Sequence, residues 1–451
     1  MSNNIQLIKD ILSSLKEEKK YNSLRDILST MNPADIAEVF AQIPQQHLLL
    51  LFRLLSKKAA AETFVEMDTE LQEILIHGFS DNELEDVLSE LYVGDAVDIV
   101  EEMPSNVVTR ILRHAEPEMR RKINELLRYP EDTAGSIMTV EYMSLDPDIT
   151  AEKAIEHIRD MGIDKETVNT CYVVDEGNHL IGFVSLRTLI MSKLDTLVCD
   201  IMDGNVISVS THLDQEAVAQ MFAKYDLSAI PVTDGEGRLV GIVTVDDAID
   251  VIEQEATEDI EKMAAITPSE KPYIKTSVIT LWKNRIPWLL LLMVSATVTG
   301  MIITHFEQAL STYVILTAYI PMLMDTGGNS GSQASVTVIR ALSLGQINFK
   351  DIFKVVFKEA RVALMCGATL SAVNFVKLIF MDKVTVSVSL TVCLTLMVTV
   401  FVAKLVGCSL PMMAKKIGFD PAVMASPFIT TIVDALSLLI YFRFAAILLG
   451  I

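Results

Sequence analysis

The sequence predicts three parts in series: an all-α helical-repeat domain, a tandem α/β module, and a five-helix transmembrane α bundle. Three observations predict them. A helical motif recurs at an offset of 60 within the first 130 residues. A strand–turn–strand–helix pattern recurs at an offset of 59 between residues 130 and 260. Five apolar segments, each near the roughly 20 residues that a helix needs to cross hydrocarbon, crowd into residues 276–451.

Residues 1–130 mix polar and apolar side chains with a helical period and little strand signal. Ala34-Asp35-Ile36-Ala37-Glu38, followed by Ile43-Pro44, matches Gly94-Asp95-Ala96-Val97-Asp98, followed by Met103-Pro104. Short helices joined by polar turns predict a small helical stack. Asp95 and Asp98 share one of its helices, with the middle module as their expected neighbour.

In residues 131–252, Val173-Val174-Asp175-Glu176-Gly177 through Gly182-Phe183-Val184-Ser185 matches Val232-Thr233-Asp234-Gly235-Glu236 through Gly241-Ile242-Val243-Thr244. An apolar strand, a turn rich in Asp and Gly, a second strand and a helix make an α/β unit. Upstream, Ser136-Ile137-Met138 pairs with Asp200-Ile201-Met202. The two copies, about 131–196 and 197–252, resemble a tandem of cystathionine-β-synthase (CBS) domains. That resemblance implies adenosine nucleotide binding through an acid after the strand. The second copy supplies Asp246 and Asp247. The first has Thr188 at the acid's place and keeps Arg187 to meet a phosphate, so ATP binding there stays open.

Acids gather in the second copy and beyond it: Glu216, Asp226, Asp246, Asp247, Asp250, Glu253, Glu255, Glu258, Asp259 and Glu261. Asp247–Asp250, Glu255–Glu258 and Glu255–Asp259 are like-charge pairs at helical spacing, each costing a few tenths of a kcal/mol without a counter-ion. Divalent cations would relieve that cost; a solvated acidic helix is the plainer alternative. Residues 253–275 read as a connecting helix and linker, broken by Thr267-Pro268-Ser269-Glu270-Lys271-Pro272.

The charge is divided sharply. Residues 276–451 hold 13 Lys and Arg against 7 Asp and Glu, whereas the first 275 residues hold 24 against 52. So acidic a front part repels nucleic acid and anionic lipid. The spans are expected at about 286–306, 313–338, 360–381, 384–406 and 424–449. Basic residues flank them unevenly. Lys271, Lys275, Lys283 and Arg285, then Arg340, Lys350, Lys354 and Lys358, then Lys415 and Lys416, mark three cytosolic loops. Met1 to Lys20 has no apolar core of a signal peptide. The expectation is a multi-pass cell-membrane protein, with its N-terminus in the cytosol and its C-terminus outside. The five cysteines, Cys171, Cys199, Cys366, Cys393 and Cys408, have no metal or disulfide spacing and read as packing residues.

Two carboxylates interrupt the apolar segments. A carboxylate at mid-bilayer costs about 2.5–3.5 kcal/mol on insertion scales, so Asp434, deep in the last span, needs water, a base or an ion. Lys404 and Arg443 are the bases weighed as its partners; both fall near span ends, where they can snorkel to the interface. Asp325 precedes Gly327-Gly328-Asn329-Ser330-Gly331. Glycines there permit either unwound backbone lining a cavity or close helix approach. Carbonyls, the Asn329 amide and a carboxylate are hard oxygen donors that suit Mg²⁺. The absence of a His or Cys cluster argues against zinc or copper.

Taken in order, these parts resemble the MgtE family of magnesium channels over nearly the whole chain. The matching motifs are Asp132-Thr133-Ala134-Gly135-Ser136-Ile137-Met138, Thr244-Val245-Asp246-Asp247 with Glu255-Ala256-Thr257-Glu258-Asp259, Gly327-Gly328-Asn329 with Gln333-Ala334-Ser335, and Asp420-Pro421-Ala422 with Thr430-Thr431 and Asp434. The resemblance implies a homodimer with one pore, Asp434 against the partly hydrated ion and Asn329 shaping the pore. It implies regulatory Mg²⁺ on Asp98, Glu216, Asp226, Asp247, Asp250, Glu255, Glu258 and Asp259, closing the pore when bound. Thr188, Ser437 and Gly94 depart from the family pattern. A cation-coupled carrier and a membrane-anchored nucleotide sensor are the competing readings. An enzyme is not expected, since no Ser-His, HExxH or P-loop pattern occurs.

Overall fold

A computed structural model describes residues 19–269, 273–274, 276–424 and 426–450. Lys271 and Lys275, two of the basic residues flanking the first span, lie outside the described residues, as do Met1 to Glu18. The chain divides into two compact units, one ending at Val251 and one beginning at Ile252.

The first unit opens with short helices: α1 (Lys19–Leu28), α2 (Pro33–Ala41), α3 (Gln45–Phe52), α4 (Lys57–Val65), α5 (Thr69–Gly78), α6 (Asp81–Leu88), α7 (Val93–Glu102), α8 (Ser105–His114) and α9 (Pro117–Leu126). Helices this short are marginal alone. Local chemistry marks their starts and a shared core holds them. The Asn32, Ser56 and Asp68 side chains accept backbone N–H groups at three N-termini, and Ser80 with Glu83 forms a capping box at a fourth. The recurring motif falls on α2 and α7, and in each copy the following proline, Pro44 or Pro104, precedes the next helix. Phe52, Phe64 and Phe79 meet with ring centroids 5.2–6.3 Å apart in the core.

The α/β repeat is present in both copies. The first has β1 (Tyr142–Leu145), α10 (Ala151–Met161), β2 (Thr167–Val174), β3 (Leu180–Ser185) and α11 (Leu186–Met191). After α12 (Val198–Ile201), the second has β4 (Val209–Ser210), α13 (Gln215–Tyr225), β5 (Ala229–Thr233), β6 (Leu239–Thr244) and α14 (Val245–Met263). Each sheet has a parallel pair followed by an antiparallel hairpin. The two Ile-Met motifs exchange between copies. Met202 Sδ lies 2.7 Å from where a Cβ on Gly182 would stand, and Met138 Sδ is equally close to one on Gly241. Thr139 pairs with Ile242, and Phe183 with Asp203. Each strand therefore has a glycine where the other copy's Met crosses it.

The second unit holds α15 (Val278–His305), α16 (Glu307–Thr312), α17 (Ile320–Ser343), α18 (Ile352–Phe380), α19 (Val386–Lys416) and α20 (Ser426–Leu449). Among the described residues, four stretches are long and apolar enough to cross a membrane: Val278–His305, Phe349–Phe380, Val386–Lys416 and Pro421–Leu449. The five-span expectation is thus met at four. The remaining segment forms α17, whose glycines, serines and Asp325 keep its hydropathy low.

The glycine run does not unwind: α17 is continuous from Ile320 to Ser343. Its glycines serve close approach instead. A Cβ on Gly327 would strike Thr399, Ser437 and Val433, and one on Gly331 would strike Ile429 and the Ala403 carbonyl. Gly407 on α19 faces the Gly331 backbone so closely that no side chain fits between them. Ser437 donates its hydroxyl to the Val433 carbonyl within α20, at 2.6 Å. This satisfies its own polarity and leaves its bulk to meet Gly327.

Candidate functional site

The small residues on one side of α17 determine what the other side offers. Gly327, Gly328, Ser330, Gly331, Ala334 and Ser335 are buried against neighbouring helices, while Asp325, Asn329 and Gln333 are exposed. These three are spaced four apart, so they form one polar stripe along the helix. Asp434 is half-buried on α20, and Asp325 acts on it electrostatically. Thr430, one turn before Asp434, packs over Gly328.

Neither of the bases weighed as partners pairs with Asp434 among the described residues. Lys404 also departs from its expected place. The helix runs on to Lys416 instead of ending near 406, so Lys404 is not at the interface but inside the bundle, 4% exposed. It stands one turn before Cys408, near which Glu359 of α18 also lies. The helix continues ten residues past the expected span end at 406, which carries Lys404 into the bundle.

In the first unit, β1, α7 and α14 bring acids together. Thr244 donates its hydroxyl to Asp247 at 2.6 Å, fixing that carboxylate at the start of α14. Burial, then repulsion from Asp247 and Asp95, pushes Asp98 up to about 7. Burial and Asp247 likewise push Asp95 up to about 6, and burial takes Asp247 itself up to about 6. Glu166 rises to about 8 through burial and the charges of Asp95, Asp247 and Asp246. Glu141, raised by burial, accepts the Val93 N–H at 2.9 Å at the start of α7. Asp95, Asp98 and Asp247 were legible in the sequence. Glu141 and Glu166 were not, because only the β1–β2 pairing carries them to the same place.

The other expected acids are spread along α13 and α14, with Asp250 near enough for its charge to act on Asp247. Glu216 and Asp226 stand at opposite ends of α13, about 15 Å apart at 1.5 Å per residue. Asp250 is exposed one turn beyond Asp247. Glu255 lies further along α14, half-buried. Glu258 is engaged by Lys262 at 2.6 Å, and the same Lys262 reaches Asp420 at 2.7 Å. Asp259, raised by burial and by Asp420, accepts a hydrogen bond from Ser343 at 3.2 Å. Met263 packs on Ile339 and Ala422. The end of the connecting helix is thus fastened to α17 and to the turn before α20. Among the described residues, no three His, Cys, Asp or Glu side chains form a ready metal cage.

Ser185 caps α11 by accepting the Thr188 N–H at 3.0 Å, so Thr188 takes the place held by Asp247 in the second copy. Beside it, Asn169, Ser185, Leu186, Arg187, Ile190 and Met191 line a cleft of about 450 Å³.

The raised carboxylates set a pH dependence for the first unit. Their folded values lie above the ordinary carboxylate range, so folding takes up protons. The favourable contribution is therefore present at low pH and lost as pH rises from about 4 through 6–8. In chelator, the opening free energy of residues 19–251 in the full chain is expected to fall by about 2 kcal/mol or more between pH 5 and 8. Hydrogen exchange corrected for intrinsic rates reads this directly. A flat profile would show that neither burial nor mutual repulsion raises these carboxylates.

Fold and acids together define a polytopic helical membrane protein with an acid-rich module of helical repeats and paired CBS domains. The profile of the MgtE divalent cation transporter domain matches residues 320–444, and that of the MgtE intracellular N domain matches residues 31–132. CBS domain profiles match 134–195 and 198–254. The chain is 36% identical to the magnesium transporter MgtE of Thermus thermophilus over 447 residues, covering 97% of this chain and 98% of that one. It is 32% identical to the Bacillus subtilis magnesium transporter MgtE, covering 96% and 95%. A crystal structure of the soluble part of a magnesium transporter superposes with a TM-score of 0.52 at 34% identity, covering 56% of this chain and 99% of that one. The chain belongs to the MgtE family.

Proposed function

We propose that this protein is a Mg²⁺ channel of the cell membrane, importing the ion along α17 and α20 and closed by Mg²⁺ on its cytosolic acids. The observation that carries this reading is Asp434. It is a carboxylate within an apolar helix, with no base paired to it among the described residues and with Asp325 and the Asn329 stripe on the neighbouring helix. A partly hydrated divalent cation supplies the missing positive charge, and the stripe supplies oxygen donors for its waters. The stripe is exposed in a single chain, which supports a homodimer with the pathway between two copies. In that arrangement α17 is the fifth crossing: it needs little apolar surface, because one side packs on α19 and α20 and the other faces the ion. Five crossings with a cytosolic N-terminus leave the C-terminus outside.

In this reading, Asp98 and Asp247 hold one regulatory ion group, joined by Asp250, while Glu216, Asp226, Glu255, Glu258 and Asp259 meet ions across the dimer. Binding draws like charges together and steadies the connecting helix and linker, residues 253–275, against the pore domain, 276–451. Loss of the ions lets repulsion part them. Arg187 and its cleft suit the phosphate of an adenosine nucleotide in the first CBS copy, residues 131–196. No part of the mechanism requires catalysis.

Vesicle uptake separates a channel from a coupled carrier. Purified protein is expected to pass Mg²⁺ down its own gradient with no Na⁺ or H⁺ gradient imposed. Uptake that appears only when a counter-ion gradient is present would move the assignment to a carrier. A chain that binds nucleotide but passes no ion would be the anchored sensor.

A further inference from the structure

We propose that the first three turns of α18 bind the headgroup of an anionic phospholipid, with Lys354, Lys358 and Arg361 around its phosphate and the Phe357 ring beside its glycerol. This binding is separate from ion transport.

The placement follows from helix geometry. Ala363, Gly367, Asn374 and Leu378 are the buried face of α18. At 100° per residue, Lys354, Lys358 and Arg361 fall within about 60° of one another on the opposite side. All three are exposed. Beyond Arg361 the same outward side turns apolar, with Met365, Val373, Val376 and Phe380 exposed. From Arg361 to Phe380 the helix rises about 28 Å, close to the roughly 30 Å of the hydrocarbon core. Arg361 therefore stands at the boundary of hydrocarbon and headgroups. Lys358 and Lys354 follow about 5 and 10 Å further into the polar layer.

Among the described residues, the charges on this face are nearly uncompensated. Lys354 has Asp351 at 3.0 Å. Glu359, beside Lys358 in sequence, is half-buried and acts on the buried Cys408 of α19, toward the packed side. Phe353 and Phe357 are 83% and 65% exposed, large apolar rings at the same level as the cations. The Arg361 guanidinium lies over the Phe357 ring, 4.7 Å from its centroid, which orients the cation along the helix. Lys416, at the end of α19, stands over Phe349 at 4.2 Å and extends the basic rim. Cations arranged in this layer with aromatic rings complement a negatively charged headgroup joined to acyl chains. A free anion has no use for the rings.

The test counts lipid retained by the full-length protein, extracted in neutral detergent and supplied with phosphatidylglycerol or phosphatidylcholine, by native mass spectrometry. Wild type is expected to retain phosphatidylglycerol in preference to phosphatidylcholine. K354Q/K358Q/R361Q should weaken that retention roughly a hundredfold, about fivefold for each charge removed. The charge-preserving variant K354R/K358R/R361K should keep it, and Lys358→Gln alone should lose about fivefold, which guards against a triple variant that fails to fold. Equal retention of both lipids by wild type would overturn the proposal. So would phosphatidylglycerol retention unchanged in Lys358→Gln, or displacement by millimolar inorganic phosphate. None of these readouts involves Mg²⁺ flux, so failure here leaves the channel reading untouched.

Discussion

Replacing Asp434 by Ala is expected to abolish Mg²⁺ uptake into vesicles, to below about a hundredth of the wild-type rate, while leaving the protein at least as stable. The two halves of this result come from one cause. A carboxylate among apolar side chains costs about 2.5–3.5 kcal/mol to insert, so its removal should ease folding. A charge-assisted contact to the ion or its waters contributes about 1.5–3 kcal/mol, and a homodimer would lose it twice. The pattern distinguishes a site residue from a packing residue. Truncating a structural side chain lowers melting temperature and flux together, whereas this change should separate them. Melting temperature and initial uptake rate, measured on the same preparation, read both.

Neutralising Asp247 and Asp250 to Asn is expected to have the second largest effect, on regulation and not on conduction. An ion shifts an equilibrium only by its differential affinity for the two states. Asp247 lies among Asp95, Asp98 and Glu166, where burial and mutual repulsion raise every carboxylate. Mg²⁺ would stabilise the gathered arrangement most there. The double variant should still conduct at internal Mg²⁺ that silences wild type, with the inhibitory concentration raised at least about tenfold. Removing two charges also relieves repulsion, which favours closure without the ion, but it removes the carboxylates through which Mg²⁺ favours closure over opening. Inhibition at the wild-type concentration would remove these acids from the sensor.

The parts of this chain that repeat were the most legible. Two copies of an Asp-and-Gly turn between apolar strands define the same hairpin twice, and the structure has both, at β2–β3 and β5–β6. The role of the upstream Ile-Met motif was not legible, because it acts across copies: Met138 covers Gly241, and Met202 covers Gly182. In the membrane part, Asp434 stood out as a charge in an apolar run. The glycine run was ambiguous, because unwound backbone and close helix packing use the same residues. Packing is what α17 shows, with Gly331 against Gly407. Lys404 was misplaced because apolar composition falls before the helix ends, so the interface was drawn too early. Glu258 and Asp259 are expected, through the family resemblance, to meet Mg²⁺. The Glu258–Lys262 ion pair is legible as an i,i+4 pair on α14, whereas the Ser343 contact to Asp259 joins residues far apart in sequence.

The most direct measurement is the position of a divalent ion in crystals of the full-length protein soaked in Mn²⁺, an octahedral oxygen-seeking stand-in for Mg²⁺ with a usable anomalous signal. Anomalous density is expected between the Asp434 side chains of two subunits, and it should vanish in Asp434→Ala crystals. Density confined to the cytosolic acids, with Asp434 turned toward lipid or joined to a basic neighbour, would contradict a pathway built on that carboxylate.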